Sequence, residues 1–130
     1  MSSFLTPLVV EPLDGRRWRI AFPFRYHVGS RYSNKIVVVP PGAVTDFASF
    51  PLWRLLFWWL PYWAKYSKPS PIHDELYRSK QIIGKPITRK RADEIFLEAM
   101  LVAWKDKKLG KFVAYMEYIG VRLFGWLVWH

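Results

Sequence analysis

Ser70-Pro71-Ile72-His73-Asp74-Glu75-Leu76-Tyr77 gathers a histidine, two carboxylates and a phenol in one short segment, and a single aspartate, Asp93, follows among apolar neighbours. A histidine next to one aspartate, within reach of a second from another element, is the minimum for a base-activated water or a metal site. Ser70 as N-cap with Pro71 at the first helical position would start a helix here. His73 then falls in the first turn, where the helix macrodipole favours the neutral imidazole that a general base or a metal ligand needs. Tyr77, four residues on, shares the face of His73, whereas Asp74 points about 100° away. A loop of roughly ten residues containing Gly84 and Pro86 is long enough to fold a second helix back and bring Asp93 to His73.

The same residues have a plainer reading. Asp74 and Glu75 at a helix start complement the dipole, and His73 can be a hydrogen-bonded core residue. Asp93 lies beside Phe96, Leu97 and Met100, on a face that points inward, where a carboxylate is costly without a partner. His73, Arg91 and Arg122 are the candidates, and a purely structural Asp93–Arg122 pair is an alternative to a catalytic one. Asp46, in Thr45-Asp46-Phe47-Ala48-Ser49, is a metal ligand together with Asp74, a turn former or an N-cap. His27 and His130 have no comparable company and receive no role.

The elements that must position these groups can be read from periodicity. Leu8 to Val10, Trp18 to Phe22 and Lys35 to Val39 read as strands, with Asp14-Gly15 as a hairpin turn and Pro23 marking an edge or a bulge. Short helices are expected over Leu52 to Leu60 and from Ser70. A longer one runs from about Thr88 to Trp104 with Ala92, Phe96, Ala99, Met100 and Ala103 in register. A last one runs from about Lys111 to Trp126 with Phe112, Tyr115, Met116, Ile119 and Leu123 in register. The expected fold class is α+β, a small N-terminal antiparallel sheet of two or three strands followed by a helical half of three or four helices. The expected organisation is one domain over 1–130, mainly β over 1–48 and mainly α over 49–130.

Composition narrows the function classes. The chain has no cysteine, which excludes thiol catalysis and thiolate zinc sites. Lys and Arg number 20 against 10 acidic residues, a net charge of +10, which favours an anionic membrane surface, nucleic acid or an acidic protein. No nucleic-acid recognition motif accompanies the charge. Aromatic residues make up 18% of the chain, with eight tryptophans, more than a small core ordinarily takes. Trp53, Phe57, Trp58, Trp59 and Trp63 crowd a run that is apolar on nearly every side and is followed by Lys65 and Lys68, a mixture suited to an interaction surface or a headgroup boundary. That run holds Arg54, Pro51 and Pro61 and is shorter than the about 20 apolar residues a membrane span needs. The first residues lack the basic start of a secretory signal.

Val39-Pro40-Pro41-Gly42 leading to Thr45-Asp46-Phe47-Ala48-Ser49-Phe50-Pro51, then His73-Asp74-Glu75-Leu76-Tyr77, Ala92-Asp93 with Phe96 and Ala99-Met100, and Tyr118 to Gly125 together resemble a family of small proteins of tailed phages and prophages, known as domain of unknown function 1353. The resemblance implies a place in the host cytoplasm or the phage virion and phage structural proteins as partners, and it carries no activity. A more local likeness has chemical content. His-Asp-x-x-Tyr on one helix with an aspartate on the next is similar to the phospholipase A2 site. That likeness implies His73 as the base, Asp74 as a calcium ligand, Asp93 as the group orienting His73, and Tyr77 as its hydrogen-bonding neighbour. The glycine-rich calcium loop and the disulfides of that family are missing. Two readings stand: a calcium-dependent lipid esterase, or a non-catalytic component of the tail, neck or baseplate that docks through the Trp-rich segment, with Arg122 and Asp93 as a structural pair.

Overall fold

Alternation of apolar and polar residues builds the N-terminal half, and in the computed structural model, which describes residues 3–4, 6–13, 18–30, 32–45, 68–127 and 129, it forms two small antiparallel sheets. In one, β1 (Ser3–Phe4) and β5 (Ile36–Val39) flank β4 (Phe24–His27). In the other, β2 (Val10–Pro12) and β6 (Val44–Thr45) flank β3 (Trp18–Ile20). Phe24 and Tyr26 of β4 and Val37 and Val39 of β5 are buried, whereas Arg25 and Val38 between them face out and lie opposite each other in register. This is the period of two that a half-buried strand requires. Asp46, the short helix expected over Leu52 to Leu60, and the aromatic run with Trp53, Phe57, Trp58, Trp59 and Trp63 lie outside the described residues.

The Asp14-Gly15 turn lies outside the described residues; on either side of it β2 and β3 pair antiparallel, with Val10 opposite Ile20 and Pro12 opposite Trp18. The strand expected over Trp18 to Phe22 is shorter. Pro23 lacks an N–H for a ladder, so β3 stops at Ile20, and the chain enters the other sheet at Phe24, a strand that periodicity alone does not reveal.

Three helices follow among the described residues: α1 (Pro69–Ser79), α2 (Arg89–Ala103) and α3 (Gly110–Phe124), the last continued by a 3-10 turn over Gly125–Leu127. The connection between α1 and α2 is not a plain loop. Lys80 caps α1 in the left-handed region, and β7 (Gln81–Ile82) pairs with β8 (Lys85–Pro86) around Ile83 and Gly84 at φ 49° and 76°. Two successive left-handed residues match the twist of a tight hairpin. Thr88 caps α2 by accepting a hydrogen bond from the Arg91 N–H at 3.1 Å.

Helix α2 separates two apolar clusters. Its Ala92, Ile95 and Ala99 pack with Ile72 and Leu76 of α1 and with Phe24, Tyr26, Val37 and Val39 of the first sheet. On its other side, Phe96, Met100 and Trp104 pack with Val113, Ala114 and Val121 of α3. A hydrogen bond of 2.7 Å from the Tyr26 hydroxyl to Glu98 ties sheet to helix.

Helix α3 is turned about its axis relative to what periodicity suggests. Phe112, Tyr115, Ile119 and Leu123, the apolar set read from the sequence, face outward with Met116 at their edge, whereas Val113, Ala114, Glu117 and Val121 face α2. Glu117 is therefore buried, with 4% of its surface exposed, and burial pushes its carboxyl up to about 8. A carboxyl raised on folding holds its proton in the folded chain when the unfolded chain has lost it. Its penalty is absent below the unfolded value near 4.5, grows as pH rises, and is complete above about 8. Relative to Glu117→Gln, the wild type is expected to lose stability by up to about 1.4 kcal/mol per pH unit across that window. Urea titrations of both chains at a series of pH values check this, and parallel stability curves would refute it.

Candidate active site

Asp93 is the centre of the polar constellation, fully buried on α2 with no measurable exposure. Its Oδ1 accepts the Tyr77 hydroxyl at 2.6 Å and lies 2.9 Å from His73 Nε2. Its Oδ2 accepts Arg122 Nη1 at 2.9 Å and meets Arg89 Nη1 at 3.5 Å. The helical spacing of His73 and Tyr77 puts both on one face of α1, and the hairpin over residues 81–86 returns the chain so that α2 presents Asp93 to that face. Arg122 reaches Oδ2 from the last turn of α3. Four side chains from three helices thus meet one fully buried carboxylate, which needs such partners to offset its lost hydration.

A carboxylate oxygen only accepts, so with the imidazole neutral the ring proton sits on Nε2 and the lone pair is on Nδ1. Nδ1 has no hydrogen-bond partner among the described residues, and the His73 side chain keeps 12% of its surface exposed. The ring is held flat against Phe96, with centroids 4.2 Å apart and planes at 22°, and tilted against Tyr77, also at 4.2 Å. Packing on both sides leaves the imidazole little rotational freedom. Burial, and then the bond to Asp93, push the Tyr77 phenol up beyond its ordinary range, so it acts as a donor.

His73 lies deeper in its helix than a Ser70 cap would place it. Helix α1 begins at Pro69, Lys68 precedes it without a side-chain cap, and Ser70 is its second residue. Proline at the first position explains the shift, since its missing N–H is one the helix start would leave unpaired. His73 is then beyond the first turn, and the dipole, whose effect falls off within that turn, gives it little.

Arg89 was not legible as a site residue, although its position four before Asp93 on one helix is a spacing at which side chains meet. Its guanidinium also donates to the carbonyls of Val121 at 2.9 Å and Arg122 at 3.3 Å. Both carbonyls lie in the last turn of α3, and that of Val121 also accepts the Gly125 N–H. Arg91, the other candidate partner, is exposed and uses only its backbone in the Thr88 cap. Trp129 meets Tyr77 edge to face at 5.1 Å. Gly125 packs so closely that a Cβ there would collide with the Tyr77 hydroxyl and Arg89 Nη1. Gly125→Ala is expected to cost about 1–3 kcal/mol through this overpacking, read as a lower urea midpoint. An unchanged midpoint would mean that the cluster yields freely.

Asp74 is not brought to His73. With Pro71, Glu75 and Arg78 it lines a cavity of about 250 Å³ bounded by Ile20, Val39, Pro40, Ala43 and Val44. Helical spacing sets that face of α1 opposite the face of His73 and Tyr77. Glu75 is engaged there by Arg78 at 2.6 Å. Among the described residues, no three His, Asp or Glu side chains form a group that could hold a metal ion. Asp74 alone does not make the calcium site that the phospholipase likeness implies, and its expected companion Asp46 is outside the described residues. No helix among the described residues is long and apolar enough to cross a membrane.

No curated protein and no solved structure matches the chain. A family model does, over residues 18–121, a stretch that runs from the central strand of the second sheet to the Val121 carbonyl capped by Arg89 and contains His73, Tyr77, Arg89 and Asp93. The chain belongs to the family described as protein of unknown function, DUF1353.

Proposed function

We propose that the chain is a hydrolase of lipid esters, encoded by a phage, in which His73 is the general base. The observation that carries this reading is the His73 Nε2–Asp93 contact of 2.9 Å on a side chain that keeps 12% of its surface exposed, which leaves the lone pair of a neutral ring on Nδ1. Asp93 holds the ring and its tautomer, and Tyr77 holds Asp93. A water at Nδ1 gives its proton to that nitrogen while its oxygen attacks the ester carbonyl, and the proton then goes to the departing alcohol. The same arrangement of base, orienting aspartate and tyrosine supports the phospholipase A2 likeness. Asp74 with Asp46 would supply calcium ligands in that reading, and no step above depends on them. Fatty-acid release from phosphatidylglycerol vesicles, measured with calcium and with chelator, tests the proposal. A wild-type chain that releases none under either condition would sink it.

A second reading has its own support. Both oxygens of Asp93 are occupied, and Arg89 joins the carboxylate to the end of α3, as a structural staple in a non-catalytic virion component would. Proteomic detection of the protein in purified particles of the phage that encodes it is the matching test; its absence there removes this reading.

A further inference from the structure

We infer that the outer face of α3 is a docking surface for an anionic lipid bilayer, independent of any chemistry at His73. Phe112, Tyr115, Ile119, Leu123 and Trp126 are between 43% and 62% exposed, and at 100° per residue they form one stripe along the helix and the turn that follows. The opposite face of the same helix is spent on the core through Val113, Ala114 and Val121. A helix apolar on both sides needs cover on both, and core packing supplies only one.

Charge selects the cover. Lys105, Lys107, Lys108 and Lys111 are exposed at the start of the stripe, with Asp106 as the one acidic residue among them. From Lys107 to Leu127 the only acidic side chain is Glu117, and it faces the core. The stripe is thus framed by cations and free of exposed anions. Lys108 and Lys111 also share a shallow groove of about 580 Å³ with Phe112, Tyr115, Met116 and Ile119, which sets ammonium groups beside apolar walls as a phospholipid headgroup and its acyl chains would require. Trp126 anchors its indole N–H on the Leu123 carbonyl at 3.1 Å and leaves the rest of the ring largely exposed. Aromatic and lysine side chains in this mixture suit the bilayer interface. A second copy of the chain would set lysine cluster near lysine cluster or leave it unanswered, and is disfavoured by the same charges.

Flotation of the full chain with vesicles of phosphatidylglycerol and phosphatidylcholine is expected to carry the protein upward, with pure phosphatidylcholine carrying little. Ile119→Ser combined with Leu123→Ser should weaken partition by about tenfold or more while leaving the circular dichroism spectrum unchanged. Lys107→Gln with Lys108→Gln and Lys111→Gln should weaken it and flatten its salt dependence, and this second variant decides the matter if the first fails to fold. His73→Ala should float as the wild type does, which separates this surface from the ester chemistry. The inference is overturned if the wild type does not float, if both variants float undiminished, or if the serine variant instead disperses a lipid-free oligomer.

Discussion

Replacing His73 with alanine is expected to lower ester hydrolysis by about 10²–10⁴-fold, the range that positioned acid–base catalysis contributes. The loss should far exceed any loss of folded protein. His73 is partly exposed, and its ring contacts with Phe96 and Tyr77 are of a kind whose removal costs within the common range of about 0.5–3 kcal/mol. Rates per folded molecule, from a urea curve and a progress curve on the same preparation, separate the two effects. A rate that falls only in proportion to the folded fraction would show that the imidazole packs but does not catalyse. Equal rates for the two chains would assign any hydrolysis to another group.

Asp93→Ala carries the largest expected loss of stability. The substitution leaves the Tyr77 hydroxyl, the His73 Nε2–H and the Arg122 and Arg89 guanidinium groups without the carboxylate they share. Breaking a buried pair by removing one member commonly costs about 3–5 kcal/mol. The lower end applies here, because Arg89 and Arg122 keep 20% and 31% of their side-chain surface in water and can recover part of their hydration. A drop of about 3 kcal/mol corresponds to roughly 10 °C in Tm for a domain of this length. A change below about 0.5 kcal/mol, the level of an ordinary surface substitution, would mean that the cluster is not a structural hub. Asp93→Asn keeps the volume but turns a donor toward the arginines or the imidazole, so it should lose most of the same stability.

The two substitutions also divide the two functional readings. A base held by an orienting carboxylate predicts that His73→Ala removes activity with modest unfolding and that Asp93→Ala removes both. A staple predicts that Asp93→Ala unfolds the chain while His73→Ala changes nothing that can be measured as turnover. The occupation of Oδ2 by Arg122 and Arg89 is compatible with either, since those arginines contact the oxygen that His73 does not use.

Local rules made much of this protein legible. The spacing of His73 and Tyr77, a helix start near Thr88, and the inward position of Asp93 between apolar neighbours follow from short-range chemistry, and with Arg122 as a candidate partner they pointed to the site, although the first helix starts at Pro69 and not after a Ser70 cap. Their spacing on helices determined which side chains could meet. Other features were beyond local rules. Phe24 to His27 became a strand because Ser3–Phe4 and Ile36–Val39 pair with it on either side, partners that no window around Pro23 contains. Arg89 joined the site because the Val121 and Arg122 carbonyls at the end of α3 lie beside it. Most of all, the face of α3 that packs was decided in three dimensions. Val113, Ala114 and Val121 are small enough for close approach to Phe96, Met100 and Trp104, as the tight contact of Gly110 with Trp104 illustrates. The larger Phe112, Tyr115, Ile119 and Leu123 were turned outward although they form the more hydrophobic stripe. Periodicity counts apolar residues, whereas packing selects the face whose volume fits the space available.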